Sequence, residues 1–313
     1  MRAPMSVPSA LPTGPAVSQG AATVLVVLAS VGFGFVPFFA RSLTEAGMAP
    51  HAVALYRYAL AALVFLPFVI AARAQTRILA EAGLTGLAMG LGWVAYVRAL
   101  EVVPVATAGV VYMTFPVFAL IAARVLFGER PTPRGLLATA TVALAAGIAA
   151  GPAAMAPAAA PVILLAFAAP ATFGTAIAML VHRLTPLPVL ARMGAISLGS
   201  VAGLLPLVAS TPTAAVLPAD TAALGLVVGI ALATAFVPQL LYTLFAPVVG
   251  AARAATAGAA ELPTMMALGW FAFGETLSAA QALGGAMIVA AILLSPSRKV
   301  RGAVATATTL PRR

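Results

Sequence analysis

The chain has 313 residues, 63% of them apolar, 8% charged and none cysteine, which excludes a soluble globular domain and implies a membrane protein. A membrane-crossing helix takes about 20 apolar residues, so this length accommodates roughly ten of them with short connections. The +10 charge comes from scattered Arg with a single Lys299, which argues against nucleic acid as a partner; two histidines and no cysteine leave no basis for a metal site or cofactor.

Residues 1–19 contain Pro4, Pro8, Pro12 and Pro15 with only Arg2 charged, and are expected as a flexible tail. The apolar run at 21–40 is too long for a signal h-region and lacks a small-residue cleavage site before Arg41, so it reads as a retained first span. Nine further spans are predicted at 51–72, 79–98, 104–126, 133–150, 160–181, 187–209, 221–244, 252–273 and 278–295. Arg57 in span two and Arg192 in span seven lie within snorkelling reach of a boundary and are assigned structural roles. His51 and His182 sit at span ends and are expected to titrate in water without consequence. Gly86-x-x-x-Gly90, Gly199-x-x-x-Gly203 and Gly225-x-x-x-Gly229 read as close-packing surfaces.

Trp93 and Tyr96 share one face of span three, and Gln239 and Tyr242 occupy equivalent positions on span eight. With Tyr112 and Phe115 of span four they predict a cavity with aromatic walls and a few hydrogen-bonding tips, suited to an amphipathic small molecule. Pro116 and Pro263 each delete a helical hydrogen bond and free the carbonyls of Tyr112 and Ala259 to coordinate a substrate or permit bending. Glu261 falls near the middle of span nine, where a carboxylate is expensive unless it faces a wet cavity, and it is a candidate proton or ammonium-group site.

Self-comparison reveals an internal repeat. Phe127-Gly128-Glu129 recurs as Phe273-Gly274-Glu275, and Tyr96, Val102 and Val103 recur as Tyr242, Val248 and Val249 at the same offset. Thr107-Ala108-Gly109 matches Thr256-Ala257-Gly258, Pro116 matches Pro263, and Phe33-Gly34 matches Phe173-Gly174. Five spans separate equivalent points, so the halves, 20–151 and 160–296, are expected upside down relative to each other. Arg130 and Arg134 follow the first Phe-Gly-Glu, whereas Thr276-Leu277-Ser278 follows the second, as inversion requires. With cytoplasmic termini, Arg2, Arg73, Arg77, Arg124, Arg130, Arg134, Arg183, Arg192, Arg253 and the basic tail at 297–313 fall inside; only Arg41 and Arg98 fall outside, and Arg57 is embedded. Inverted repeats of this kind are the architecture of secondary transporters.

The pattern Ala99-Leu100, Thr107-Ala108-Gly109, Pro116 and Gly128-Glu129, repeated as Ala254 to Gly258, Glu261, Pro263 and Gly274-Glu275, resembles the ten-helix EamA-type members of the drug/metabolite transporter superfamily. The resemblance covers about 20–296 and is strongest to the aromatic amino acid exporters. In many relatives the acid directly precedes the span-nine proline; here Leu262 intervenes. It implies a multi-pass protein of the bacterial inner membrane that exports amino acids and related metabolites. The alternative within the superfamily is export of drugs or other small metabolites. Ten helices around one site make a complete monomer possible. No nucleotide loop, metal motif or nucleophile elbow occurs, so no enzymatic activity is expected and energy must come from gradients.

Overall fold

The computed structural model describes residues 17–100, 111–150, 160–274 and 278–294. Both predicted tails apart from residues 17–19, the Val102-Val103 and Thr107-Ala108-Gly109 motifs, and Glu275-Thr276-Leu277 lie outside the described residues. The described chain is helical throughout: α1 Gln19–Gly34, α2 Val36–Glu45, α3 Pro50–Ala71, α4 Thr76–Leu100, α5 Phe115–Phe127, α6 Pro133–Ala150, α7 Ala160–Ala166, α8 Ala168–His182, α9 Val189–Ala209, α10 Thr221–Ala231, α11 Val237–Val249, α12 Ala251–Gly258, α13 Glu261–Phe273 and α14 Ala279–Leu294. Among the described residues, six segments are long and apolar enough to cross a membrane: Gln19–Glu45, Pro50–Ala71, Arg73–Tyr96, Leu164–His182, Val189–Ala209 and Thr221–Val249. Shorter apolar helices run over Phe115–Phe127, Pro133–Ile148 and Ala282–Leu294. Large side chains such as Phe271 and Leu293 stand 76% and 79% exposed, as the lipid-facing shell of a multi-pass protein requires.

Local chemistry sets the boundaries. Ser18 caps α1 by accepting from the Ala21 N–H at 3.2 Å, and Asp220 caps α10 by accepting from Ala223 at 2.7 Å. Pro50 begins α3 where no amide hydrogen is needed. Gly128 and Gly274 end α5 and α13 in the left-handed region, at φ 69° and 65°. Some buried hydroxyls find acceptors one turn back, as Ser30 does on the Val26 carbonyl and Thr234 on Ile230.

Several long helices are interrupted, whereas the sequence led only to a bend at Pro116 and Pro263. The first crossing runs on to Glu45 but breaks at Phe35, just before Pro37. The ninth is two helices, α12 and α13, separated by Ala259 and Ala260. Pro116 and Pro263 accordingly lie in the first turns of α5 and α13 rather than in helix centres, where a missing amide hydrogen costs little. The Ala259 carbonyl is not free, because it accepts from the Leu262 N–H at 3.1 Å. Between α10 and α11, Leu232–Phe236 forms a π-helical turn directly before Pro238.

Packing joins the two halves throughout. The most extensive contacts are of α9 with α3 and α4, of α5 with α8, of α1 with α11 and of α14 with α6. The α4–α9 seam is nearly backbone on backbone. A Cβ on Gly86 would lie 1.9 Å from the Ile196 carbonyl oxygen, and one on Gly199 would lie 1.9 Å from that of Gly83. Gly229 meets the Phe39 ring, but Gly225 faces open space, so the third predicted glycine pair contributes one contact residue rather than two. Gly86→Val is therefore expected to destabilise the folded protein by at least about 1–3 kcal/mol. Gly225→Val should stay within roughly 0.5 kcal/mol of the parent. Thermal unfolding of both variants in detergent checks the contrast.

Candidate functional site

An interior cavity of about 60 Å³ lies where the two halves meet. The first half contributes Phe33 of α1, Arg57 and Tyr58 of α3, Met89 and Trp93 of α4, and Tyr112; the second contributes residues of α8, α9 and α11. Tyr242 stands between Phe33 and Phe173, with ring centroids 6.0 and 6.4 Å away. Tyr112 stacks on Phe173 at 5.8 Å, and an edge contact of 5.4 Å joins Trp93 to Tyr96. A site for a drug-sized ligand runs to about 300 Å³ or more, so a solute of that kind requires these walls to part.

Four of the residues expected from sequence, Trp93, Tyr112, Gln239 and Tyr242, line this cavity. The others stand behind it. Tyr96 packs between Trp93 and Tyr112, and Phe115 is fully buried against Tyr112 and Phe173. Pro116 is buried in the opening turn of α5, and Pro263 faces Gly285 of α14. Glu261 is 2% exposed at the start of α13, with its Oε1 lacking a hydrogen-bond partner among the described residues. Its carboxyl interacts electrostatically with Arg57, Tyr96, Tyr112 and Tyr242, so it is the acidic group behind the aromatic wall. A helix N-terminus favours an anion there.

Arg57 is the main correction to the sequence reading. It does not snorkel; it is 7% exposed and lines the cavity. Its Nε and Nη2 donate to the Thr234 carbonyl at 3.3 and 3.1 Å, and its guanidinium carbon lies 5.2–5.7 Å from the ring centroids of Trp93, Tyr58 and Phe33. Arg192 is also buried rather than snorkelling, with Nη2 donating to the Leu187 carbonyl at 3.3 Å and Nε and Nη1 without partners among the described residues. Phe33, Phe173 and Thr243 were not expected at the site; the first two had stood out only as repeat positions, and no local signal marks the third.

Both ends of the helices are tied across elements. At one end Arg183 grips Glu81 with Nε and Nη2 at 2.5 and 2.8 Å, Arg77 adds a 3.4 Å contact, and His182 Nε2 lies 2.6 Å from Glu129 while its ring stacks on Phe127. At the other end His51 Nε2 and Thr211 Oγ1 are 2.6 Å apart, and the Ala49 N–H donates to the Ala215 carbonyl at 2.7 Å. The histidines thus hold helix ends together instead of standing free in water.

Lipid-facing helices around a part-polar cavity define a multi-pass membrane protein. Residues 20–150 match the EamA-like transporter family. A solved crystal structure, described only as that of a protein, is similar with a TM-score of 0.71 at 19% identity, over 88% of this chain and 96% of its own. At that identity the likeness establishes a shared fold. No curated protein matches the chain.

Tyr242 donates its hydroxyl to the Ala254 carbonyl at 2.9 Å and so ties α11 to α12 behind the cavity. Tyr242→Phe keeps the ring but removes that hydrogen bond between the helices, and should lower stability by about 1 kcal/mol with little change in aromatic packing. Thermal unfolding together with near-ultraviolet circular dichroism checks this.

Proposed function

We propose that this protein is a secondary active exporter of amino acids, aromatic or otherwise large and apolar, working by alternating access across the bacterial inner membrane. Ten spans form two inverted five-helix repeats, with both termini cytoplasmic. The observation that carries the reading is the cavity itself: aromatic walls drawn from both halves, with Arg57 and Gln239 as polar tips.

The repeat reading is supported by contacts that recur when the halves are exchanged. Gly34 of α1 packs on Thr264 and the Glu261 carbonyl of α13, while Gly174 of α8 packs on Phe118 and the Phe115 carbonyl of α5. Phe115 and Glu261 are the first residues of two 13-residue helices, each closed by a left-handed glycine. Contact of α13 with α2, the part of the first crossing that leads to Arg41 and Glu45, supports placing Gly274 opposite the end where Glu129 meets His182. The family match ends at residue 150, close to the limit of the first repeat at 151, which also supports the division.

In this reading the small cavity belongs to a state closed at both ends, and solute enters when one set of end contacts parts. Glu261 supplies the proton or ammonium-group site. Purified protein in liposomes should show saturable counterflow of an aromatic or large apolar amino acid; absence of flux across a broad metabolite panel would overturn the proposal. Glu261→Gln should cut transport by at least ~10-fold while folded yield is retained, since an intramembrane acid kept for function has no equal neutral substitute. Unchanged transport would assign the residue to helix packing.

A further inference from the structure

Arg57 is held by a chain of local causes. Pro238 has no amide hydrogen, so the carbonyl one turn earlier, that of Thr234, is left without its helical donor. The π-helical turn at Leu232–Phe236 presents that carbonyl to α3, and Arg57 occupies it with two N–H groups. Pro238 fits there only because residue 32 is glycine; a Cβ on Gly32 would lie 2.4 Å from the Pro238 ring. Three aromatic rings then fix the guanidinium from its sides.

This arrangement orients the cation but gives it no contacting carboxylate among the described residues. A guanidinium carries five N–H donors, and two go to Thr234, which leaves three. Among the described residues no carboxylate stands within ion-pair distance of Arg57. A buried charge without such a partner on a cavity wall costs stability unless an anion arrives to meet it.

We propose that Arg57 is the anion subsite of the cavity and holds the carboxylate of the transported solute. The planar fork of the guanidinium matches a carboxylate edge, and the apolar body of the solute lies against Met89, Phe173, Ile177 and Leu180. This rests on the transport reading and sharpens it: the substrate is a compact monocarboxylate with an apolar body. Glu261, whose carboxyl interacts electrostatically with Tyr112 and Tyr242 of the same cavity, supplies a charge of opposite sign for the other end of a zwitterion.

The test compares ligand-induced thermal protection, in detergent, by phenylalanine, phenylalaninamide, 3-phenylpropionate and phenethylamine, for the parent protein, Arg57→Lys and Arg57→Gln. The parent should favour the two carboxylates over the amide and the amine by roughly tenfold or more, the ratio one charge-assisted hydrogen bond gives. Arg57→Lys should narrow that ratio, and Arg57→Gln should abolish it. A purely structural Arg57 would shift the unliganded melting temperature and leave the ratio intact, which overturns the proposal. Equal protection by phenylalanine and its amide in the parent also overturns it, with the amino acid reading untouched. Protection by 3-phenylpropionate without phenylalanine sustains the anion subsite and removes the amino acid assignment, and no protection by either carboxylate overturns both. If Arg57→Gln fails to fold, the acid-to-amide ratio of Arg57→Lys decides.

Discussion

Every peptide group of a membrane-crossing chain must find its hydrogen bond inside the protein, because hydrocarbon offers none. In this molecule that constraint governs where the helices can break and what lies beside each break. The interruptions at Met113-Thr114 and Ala259-Ala260 fall in the interior, while those at Phe35 and Leu232–Phe236 reach from the interior to the outer surface. Tight one-turn bonds repair most of them, such as Val117 N–H to the Thr114 carbonyl at 2.9 Å. The break before Pro238 is repaired by a side chain from another helix, and that side chain is the cavity's arginine.

The helical class, the limits of many helices and the aromatic character of the interior were legible in the amino-acid sequence. Hydropathy runs and charge spacing are local signals, and Trp93, Tyr112, Gln239 and Tyr242 could be placed on helix faces by periodicity alone. The role of Arg57 was not legible, since it depends on a carbonyl 177 residues away that is freed by a neighbouring proline. The same holds for the grip of Arg183 on Glu81, 102 residues apart, and for the closeness of His182 to Glu129. Long-range polar pairing leaves no period in a sequence.

Helix interruptions were partly legible. Pro116 and Pro263 were recognised as places where a hydrogen bond is missing, but proline is as compatible with the first turn of a new helix as with a kink. Their neighbours decide between the two. Ala259 and Ala260, adjoining Gly258, let the chain turn tightly ahead of α13, and Thr114 places its hydroxyl on the Val111 carbonyl at 2.6 Å ahead of α5. Glu261 thereby becomes a helix-initiating residue, which changes its electrostatic setting from the middle of an unbroken rod to the positive end of a dipole.

The glycine seam between α4 and α9 has a mechanical consequence. Where side chains interdigitate, one helix must climb over the knobs of the other to shift; here almost nothing protrudes, so the two rods form a smooth bearing. The Ser200 hydroxyl even carries its own fallback, lying 3.0 Å from the Gly86 carbonyl across the seam and 3.1 Å from the Ile196 carbonyl on its own helix. Were the rods to glide, that hydroxyl could release its cross-seam acceptor without being left bare in an oily surrounding.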